Sequence, residues 1–75
     1  MNHYEFDPKM YQTVGTNIKK FREEKGLSIE ELSKCTGISE MNILHYEIAE
    51  GMPISIYDLY RISVILEVSI EKFFE

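Results

Sequence analysis

The stretch from Ile29 to Tyr46, IEELSKCTGISEMNILHY, decides the fold of this chain. It reads as two helices of about eight residues, joined only by Gly37, Ile38 and Ser39. Gly37 can supply the left-handed conformation that so short a turn needs, and Ile38 is expected to point inward. The pattern is typical of a helix-turn-helix. It also occurs as an ordinary corner between two helices of a small bundle, so the turn alone does not decide the function.

Four serines mark helix starts. Each follows an apolar residue, and another apolar residue comes four positions later, which is the pattern of an N-cap flanked by a hydrophobic staple. The four are Ser28, Ser39, Ser55 and Ser69. Glu31 completes a capping box with the first of them, and Asp58 nearly completes one with the third. The spacing of the serines therefore predicts a series of short helices.

Apolar periodicity then predicts five helices in a compact all-α bundle. The first is expected from Met10 or Tyr11 to Lys25, the second from after Ser28 to near Thr36, and the third from after Ser39 to about Ala49. The fourth follows Ser55, and the fifth runs from Ile70 to Phe74. Gly26 is expected to end the first helix in a left-handed conformation, and Gly51-Met52-Pro53 reads as a loop. We expect residues 1–12 to be an N-terminal extension and residues 13–75 to be one helix-turn-helix domain.

The predicted core follows from the same periodicity. Its members are Val14, Ile18, Phe21, Leu32, Cys35, Ile38, Ile43, Tyr46, Leu59, Ile62, Ile65, Leu66, Ile70, Phe73 and Phe74. A hydrophobic content of 44% in 75 residues suffices for one small core. The aromatic residues before Val14 are expected either to cover a helix of the same subunit or to form a dimer contact.

Composition limits the possible functions. The lone Cys35 allows no intrachain disulfide and, with His3 and His45 scattered along the chain, no metal site. No nucleophile or acid–base constellation is readable, so we expect no enzyme, no cofactor and no small-molecule substrate. No apolar run reaches the ~18 residues of a membrane span. The N-terminus lacks the pattern of a signal peptide, which favours a cytoplasmic protein with no membrane partner.

The outer face of the third helix is the candidate functional surface. It carries Glu40, Met41, Asn42, Leu44 and His45, and in a helix-turn-helix this face enters the major groove of DNA. The charge is unfavourable for such a role, because the chain has a net charge of −5. Residues 36–75 hold two cations against seven acids. Few residues are thus available to neutralise phosphates.

The chain from Val14 to Phe74 resembles a repressor/Cro-type helix-turn-helix domain of the xenobiotic-response-element class. The resemblance is carried by IKKFREEKGLS at residues 18–28, ELS at 31–33, GIS at 37–39, Ile43, Tyr46-Glu47, Pro53, Leu59, Ile62 and LEVS at 66–69. It implies a five-helix domain that binds operator-like double-stranded DNA, usually as a homodimer. It also implies a structural ion pair between Arg22 and Glu47.

The sequence departs from this family at the DNA-facing positions. Ile29 replaces the usual Gln that touches a phosphate. Only the backbone N–H groups at this helix N-terminus can then bind a phosphate. Ser28 and Ser39 open the two helices, and Glu40, Met41 and Asn42 take the base-reading positions. Glu can accept from cytosine N4, Met can contact a thymine methyl, and Asn can pair with adenine.

These positions also have simpler interpretations. Glu40 can serve as a first-turn acid that complements the helix dipole, and His45 as an exposed histidine with no role. Two functions therefore stay open. One is a sequence-specific DNA-binding transcriptional regulator, repressor/Cro-like, with its third helix in the major groove. The alternative is the same fold used as a protein–protein interaction module or antagonist that has lost DNA binding.

Overall fold

A computed structural model describes residues 8–48 and 53–75. Over these residues the chain is helical and contains no strand, which confirms the all-α prediction. The elements are α1 Pro8–Glu24, α2 Ile29–Thr36, α3 Glu40–Glu47, α4 Ile56–Leu66 and a 3-10 helix Ile70–Phe74. The prediction of five helices is thus corrected to four α-helices, because the last segment winds as a 3-10 helix.

The helix bounds differ from the prediction at three places: the start of α1, its end at Glu24 instead of Lys25, and the end of α3. α1 begins at Pro8 rather than at Met10 or Tyr11, because proline is well suited to the first helical turn. α3 ends at Glu47, with Ile48 as its C-cap. The predicted extension to Ala49 and most of the loop at residues 51–53 lie outside the described residues. Gly26 and Gly37 have φ values of 77° and 80°, as a left-handed helix end requires.

Three of the four predicted serine caps form. The hydroxyls of Ser28, Ser39 and Ser55 each accept a hydrogen bond from the backbone N–H three residues later. Ser28 and Glu31 form the reciprocal capping box. The prediction was wrong for Ser69, whose side chain makes no cap hydrogen bond within the described chain.

One core lies between the helices. Its buried apolar members are Val14, Ile18, Leu32, Ile38, Ile43, Tyr46, Leu59, Ile62, Leu66 and Phe73. α1 packs against both α3 and the 3-10 helix, and α2 packs against both α3 and α4. Phe21, Ile65 and Ile70 are only partly buried at the edge of this core.

Cys35 is a correction to the predicted core, because its side chain is exposed. The buried positions of α2 are Leu32 and Thr36, which are four residues apart on one face. The Thr36 hydroxyl can be buried because it donates to the Leu32 carbonyl at 2.8 Å and accepts from the Ile38 N–H at 3.2 Å. Cys35 therefore lies on the neighbouring face, toward α4.

Phe74 is a second correction. Its exposed fraction is 44%, whereas Phe73 is fully buried. Three residues make one turn of a 3-10 helix, so Ile70 and Phe73 lie on the same side. Phe73 meets the ring of Phe21 edge-on at 5.2 Å between centroids. The next residue, Phe74, turns away from the core.

Candidate nucleic-acid interface

The turn between α2 and α3 is held by side-chain hydrogen bonds as well as by the conformation of Gly37. The Ser33 hydroxyl donates to the Ile38 carbonyl at 2.6 Å. Thr36 accepts from the N–H of the same Ile38, which is itself buried. Both backbone groups of Ile38 are therefore bonded to α2. This arrangement fixes the direction in which α3 leaves the turn.

A second network, which the sequence did not reveal, ties α4 to both helices of the motif. Arg61 Nη1 donates to the Thr36 carbonyl at 2.8 Å, and Nη2 donates to Asp58 Oδ1 at 2.7 Å. The other Asp58 oxygen, Oδ2, accepts from the Tyr46 hydroxyl at 2.7 Å. Burial, together with the carboxylate of Asp58, raises the pKa of Tyr46 to about 12. Asp58 thus connects α3 with α4, where the sequence suggested only a capping role.

On the inner side of α3, Glu47 forms the ion pair with Arg22 that the resemblance implies. Arg22 Nε donates to Glu47 Oε2 at 2.6 Å and Nη2 donates to Oε1 at 2.9 Å, so the pair is bidentate. Nη1 donates to the Leu27 carbonyl at 2.7 Å. The two side chains are only 10% and 3% exposed. The hydrogen bonds that Arg22 donates to the Glu47 carboxylate raise the pKa of Arg22.

The opposite side of α3 faces solvent. The predicted residues Glu40, Met41, Asn42 and His45 are all exposed. Ile29 is partly buried, and it lines one shallow depression together with Glu40, Met41 and Leu44. The structure therefore brings the start of α2 next to the first turns of α3.

Leu44 and Ile48 extend the exposed side of α3. They are 43% and 47% exposed. Leu44 was predicted on this face but not as a DNA contact, and Ile48 was not predicted on it. Their four-residue spacing would have identified them as one face. The surface is thus more apolar than the predicted residues alone suggest.

The electrostatics of this surface are unusual for a nucleic-acid interface. α3 contains no lysine or arginine, and Glu40 stands in its first turn. At the start of α2, the Glu31 carboxylate accepts from the Ser28 N–H at 2.8 Å, which lowers the pKa of Glu31. Lys34 lies 3.5 Å from Glu30 in an exposed pair. Acids therefore stand in the first turns of both α2 and α3, and Lys34 of α2 is paired with Glu30.

Within residues 8–48 and 53–75, no three His, Cys, Asp or Glu side chains are grouped so as to hold a metal ion. His3 lies outside these ranges. Among the described helices, none is long and apolar enough to cross a membrane.

Comparison with known proteins agrees with this geometry. The profile of the helix-turn-helix family matches residues 18–73. One similar structure is a crystal structure of SinR, the master regulator for biofilm formation, in complex with DNA. It has 31% sequence identity, a TM-score of 0.78, and coverage of 83% of this chain and 98% of that chain.

A second similar structure is the N-terminal DNA-binding domain of SinR from Bacillus subtilis. It has 30% identity and a TM-score of 0.80, with coverage of 85% of this chain and 93% of that one. A comparison with curated proteins gives no match.

Proposed function

Because the chain belongs to the helix-turn-helix family of the Cro/C1 type, we propose that it is a sequence-specific DNA-binding transcriptional regulator. α3 would lie in the major groove with its N-terminal residues toward the bases. The observation that carries this proposal is the outward face of α3. Glu40, Met41, Asn42 and His45 stand exposed on it, while Ile43, Tyr46 and Glu47 anchor the inner face.

Three side chains on that face match base edges. Asn42 can pair with adenine N6 and N7, Glu40 can accept from cytosine N4, and Met41 can contact a thymine methyl. The proposed DNA-binding site comprises Ser28, Ile29, Ser39, Glu40, Met41, Asn42 and His45. Ser28 and Ser39 contribute as N-caps that present the two helix starts.

Phosphate contacts would come mainly from outside α3. Lys19 and Lys20 are exposed on α1. Lys34 can leave its exposed pair with Glu30 at little cost, since surface pairs of this kind contribute less than about 1 kcal/mol. Base contacts and shape would therefore supply a larger share of the affinity than they do in a basic DNA-binding domain.

The alternative is a protein-contact module or antagonist that has lost DNA binding. Glu40, Ile29 and the acidic second half of the chain favour it. The family match over residues 18–73, and a neighbour in complex with DNA, support the regulator instead. We further propose that the regulator acts in the cytoplasm and that two copies bind two half-sites.

A pair of isosteric substitutions tests the function. Asn42→Asp replaces a donor on the proposed reading face with an acid, and Gln12→Glu introduces the same charge on the exposed side of α1. Binding to genomic fragments should be measured by gel shift at low salt, where electrostatic repulsion by the added acid is most visible.

We expect Asn42→Asp to weaken binding roughly tenfold or more, since a good bidentate base contact contributes about 1–3 kcal/mol. Gln12→Glu should change it by no more than roughly twofold. Equal effects of the two substitutions would show that the DNA binds a surface other than the outward face of α3. Absence of binding by the wild-type protein at low salt would favour the protein-contact module.

A further inference from the structure

An apolar depression lies on the outward face of α3, next to the start of α2. It has a volume of about 290 Å³ and is lined by Ile29, Glu40, Met41 and Leu44, which we name the α3 depression. Met41 and Leu44 are 61% and 43% exposed, and Ile29 is partly buried. Three of the four lining side chains are thus large and apolar, whereas the fourth ends in a carboxylate.

The carboxylate of Glu40 is available to a ligand, because nothing in the described part of the chain pairs with it. The acids at the start of α2 are already engaged: Glu31 closes the capping box, and Glu30 pairs with Lys34. α3 is capped by Ser39, so its helix start does not need Glu40 as a cap. Glu40 is therefore an open hydrogen-bond acceptor beside an apolar recess.

This combination of groups matches the edge of one particular base. In the major groove, cytosine presents its N4 amino group as a donor, and thymine presents the O4 acceptor and the C5-methyl group. 5-Methylcytosine combines the amino donor of the first with the methyl group of the second, on neighbouring ring carbons. Thymine fits less well because its O4 repels a carboxylate. Unmodified cytosine and adenine offer a donor but no methyl group to fill the recess.

We propose that the α3 depression recognises 5-methylcytosine in the major groove. Glu40 accepts a hydrogen bond from N4, and the C5-methyl group lies against Met41 and Leu44. A methyl group is close in size to a water molecule, which takes about 30 Å³ of liquid volume, so the depression has room for it. This inference deepens the proposed function and rests on it, because the proposed function puts this face of α3 in the groove.

The two contacts separate the bases to different extents. Burying one methylene-sized group favours binding about fourfold, and an extra methyl group in a closed hydrophobic pocket favours it at least about tenfold. The α3 depression is open on one side, so 5-methylcytosine should be preferred to cytosine by about four- to tenfold. 5-Methylcytosine and thymine carry the same methyl group. The contact between N4 and Glu40 should therefore separate these two bases by roughly tenfold or more.

The test uses two pools of duplex DNA with a randomised core, one made with cytosine and one with 5-methylcytosine in its place. Sites that the full chain selects at low salt are resynthesised with cytosine, 5-methylcytosine or thymine at each cytosine position in turn. Fluorescence anisotropy gives the dissociation constants. At one position of each half-site, 5-methylcytosine should bind about four- to tenfold more tightly than cytosine and roughly tenfold or more tightly than thymine.

Two substitutions assign these preferences to the α3 depression. Leu44→Ala removes part of the apolar wall, so the preference for 5-methylcytosine over cytosine should fall to about twofold or less. Val64→Ala is the matched control, because Val64 is similarly exposed (53%) but lies on α4, and it should retain the preference. Glu40→Gln should reduce the discrimination against thymine, since an amide can donate to O4. Each preference is a ratio measured on one protein, so a general loss of stability cancels.

Equal binding of cytosine and 5-methylcytosine at every position would overturn the proposal and leave the regulator in place. A preference for thymine over 5-methylcytosine would overturn it as well, as would a preference that Leu44→Ala and Val64→Ala reduce alike. Binding to neither pool would contradict the proposed function, and this inference with it.

Discussion

Gly15 of α1 lies directly against the backbone of Tyr46 in α3. A Cβ atom added to Gly15 would collide with the Tyr46 carbonyl oxygen and would lie 3.1 Å from the carbonyl carbon. Only a residue without a side chain allows the two helices to approach so closely. The contact sets the distance between α1 and α3, and thereby the position of the outward face of α3 relative to the rest of the domain.

Gly15→Ala should therefore destabilise the fold, although alanine is the better helix former. The added Cβ would meet backbone atoms rather than a flexible side chain. We therefore expect the free energy of unfolding to fall by about 3 kcal/mol, the upper end of the usual range for overpacking. Thr16→Ala, on the exposed side of the same turn, should cost little. Urea unfolding followed by circular dichroism measures both. A Gly15→Ala protein as stable as Thr16→Ala would show that the helices separate without cost.

Glu47→Ala should cost about 3 kcal/mol, because it leaves the buried Arg22 without its partner. The matched control is Glu40→Ala, which removes an exposed acid from the same helix. In the double variant Arg22→Met/Glu47→Leu, much of the loss should be recovered, since no buried charge remains. Thermal unfolding is the measurement. A melting temperature of Glu47→Ala within about 2 °C of wild type would rule out a stabilising role for the pair.

The raised pKa of Tyr46 predicts a loss of stability at high pH. An unfolded tyrosine ionises near pH 10, whereas Tyr46 in the folded protein stays neutral to about pH 12. The contribution of Tyr46 to the free energy of unfolding is thus complete below pH 10. It decreases as pH rises through about 12, by at most about 1.4 kcal/mol per pH unit.

Denaturant unfolding between pH 9 and 12 should therefore show a steeper decline for wild type than for Tyr46→Phe. Tyr60→Phe is the control, because that ring is exposed and should leave the decline as in wild type. Parallel declines for wild type and Tyr46→Phe would contradict the shift.

The sequence predicted the parts of the fold that depend on local pattern. Ser28, Ser39 and Gly37 are recognisable because capping and left-handed turns depend on neighbouring residues. Cys35 was misplaced because an eight-residue helix leaves its register undetermined by apolar spacing alone. Thr36 is buried instead, because its hydroxyl donates to the Leu32 carbonyl and accepts from the Ile38 N–H of the turn. These hydrogen bonds depend on where the partner groups lie in the folded chain, so the residue type alone does not predict them.

The parts that depend on tertiary contact were harder to predict. Gly15 stands inside a helical pattern with no turn signal near it, and only the crossing of α1 and α3 explains it. Arg61 and Asp58 look like an ordinary pair three residues apart on one helix, yet they also bond Thr36 and Tyr46. For the candidate site, the sequence predicted which residues face outward on α3, Leu44 among them, but it did not place the exposed Ile48 on that face.

The scarcity of cations predicts a shallow salt dependence of DNA binding. The logarithm of the binding constant should fall with the logarithm of salt concentration with a slope of about 2–4 per subunit, because few counterions are released. Lys19→Gln should reduce that slope by about one if the lysine contacts a phosphate. Anisotropy titrations at several salt concentrations provide the values. A slope near 10 would mean that a different, more basic surface binds the DNA.

Glu40 decides most directly whether α3 reads DNA. The measurement is fluorescence anisotropy at low salt with wild type, Glu40→Gln and the control Glu71→Gln, each on a selected site and on a scrambled one. We predict that Glu40→Gln weakens the selected site by about 1–3 kcal/mol and relaxes the preference at one base pair, while Glu71→Gln changes neither. Binding that rises on both sequences alike would show that Glu40 repels DNA instead of reading it. Undetectable binding before and after the substitution would contradict the regulator itself.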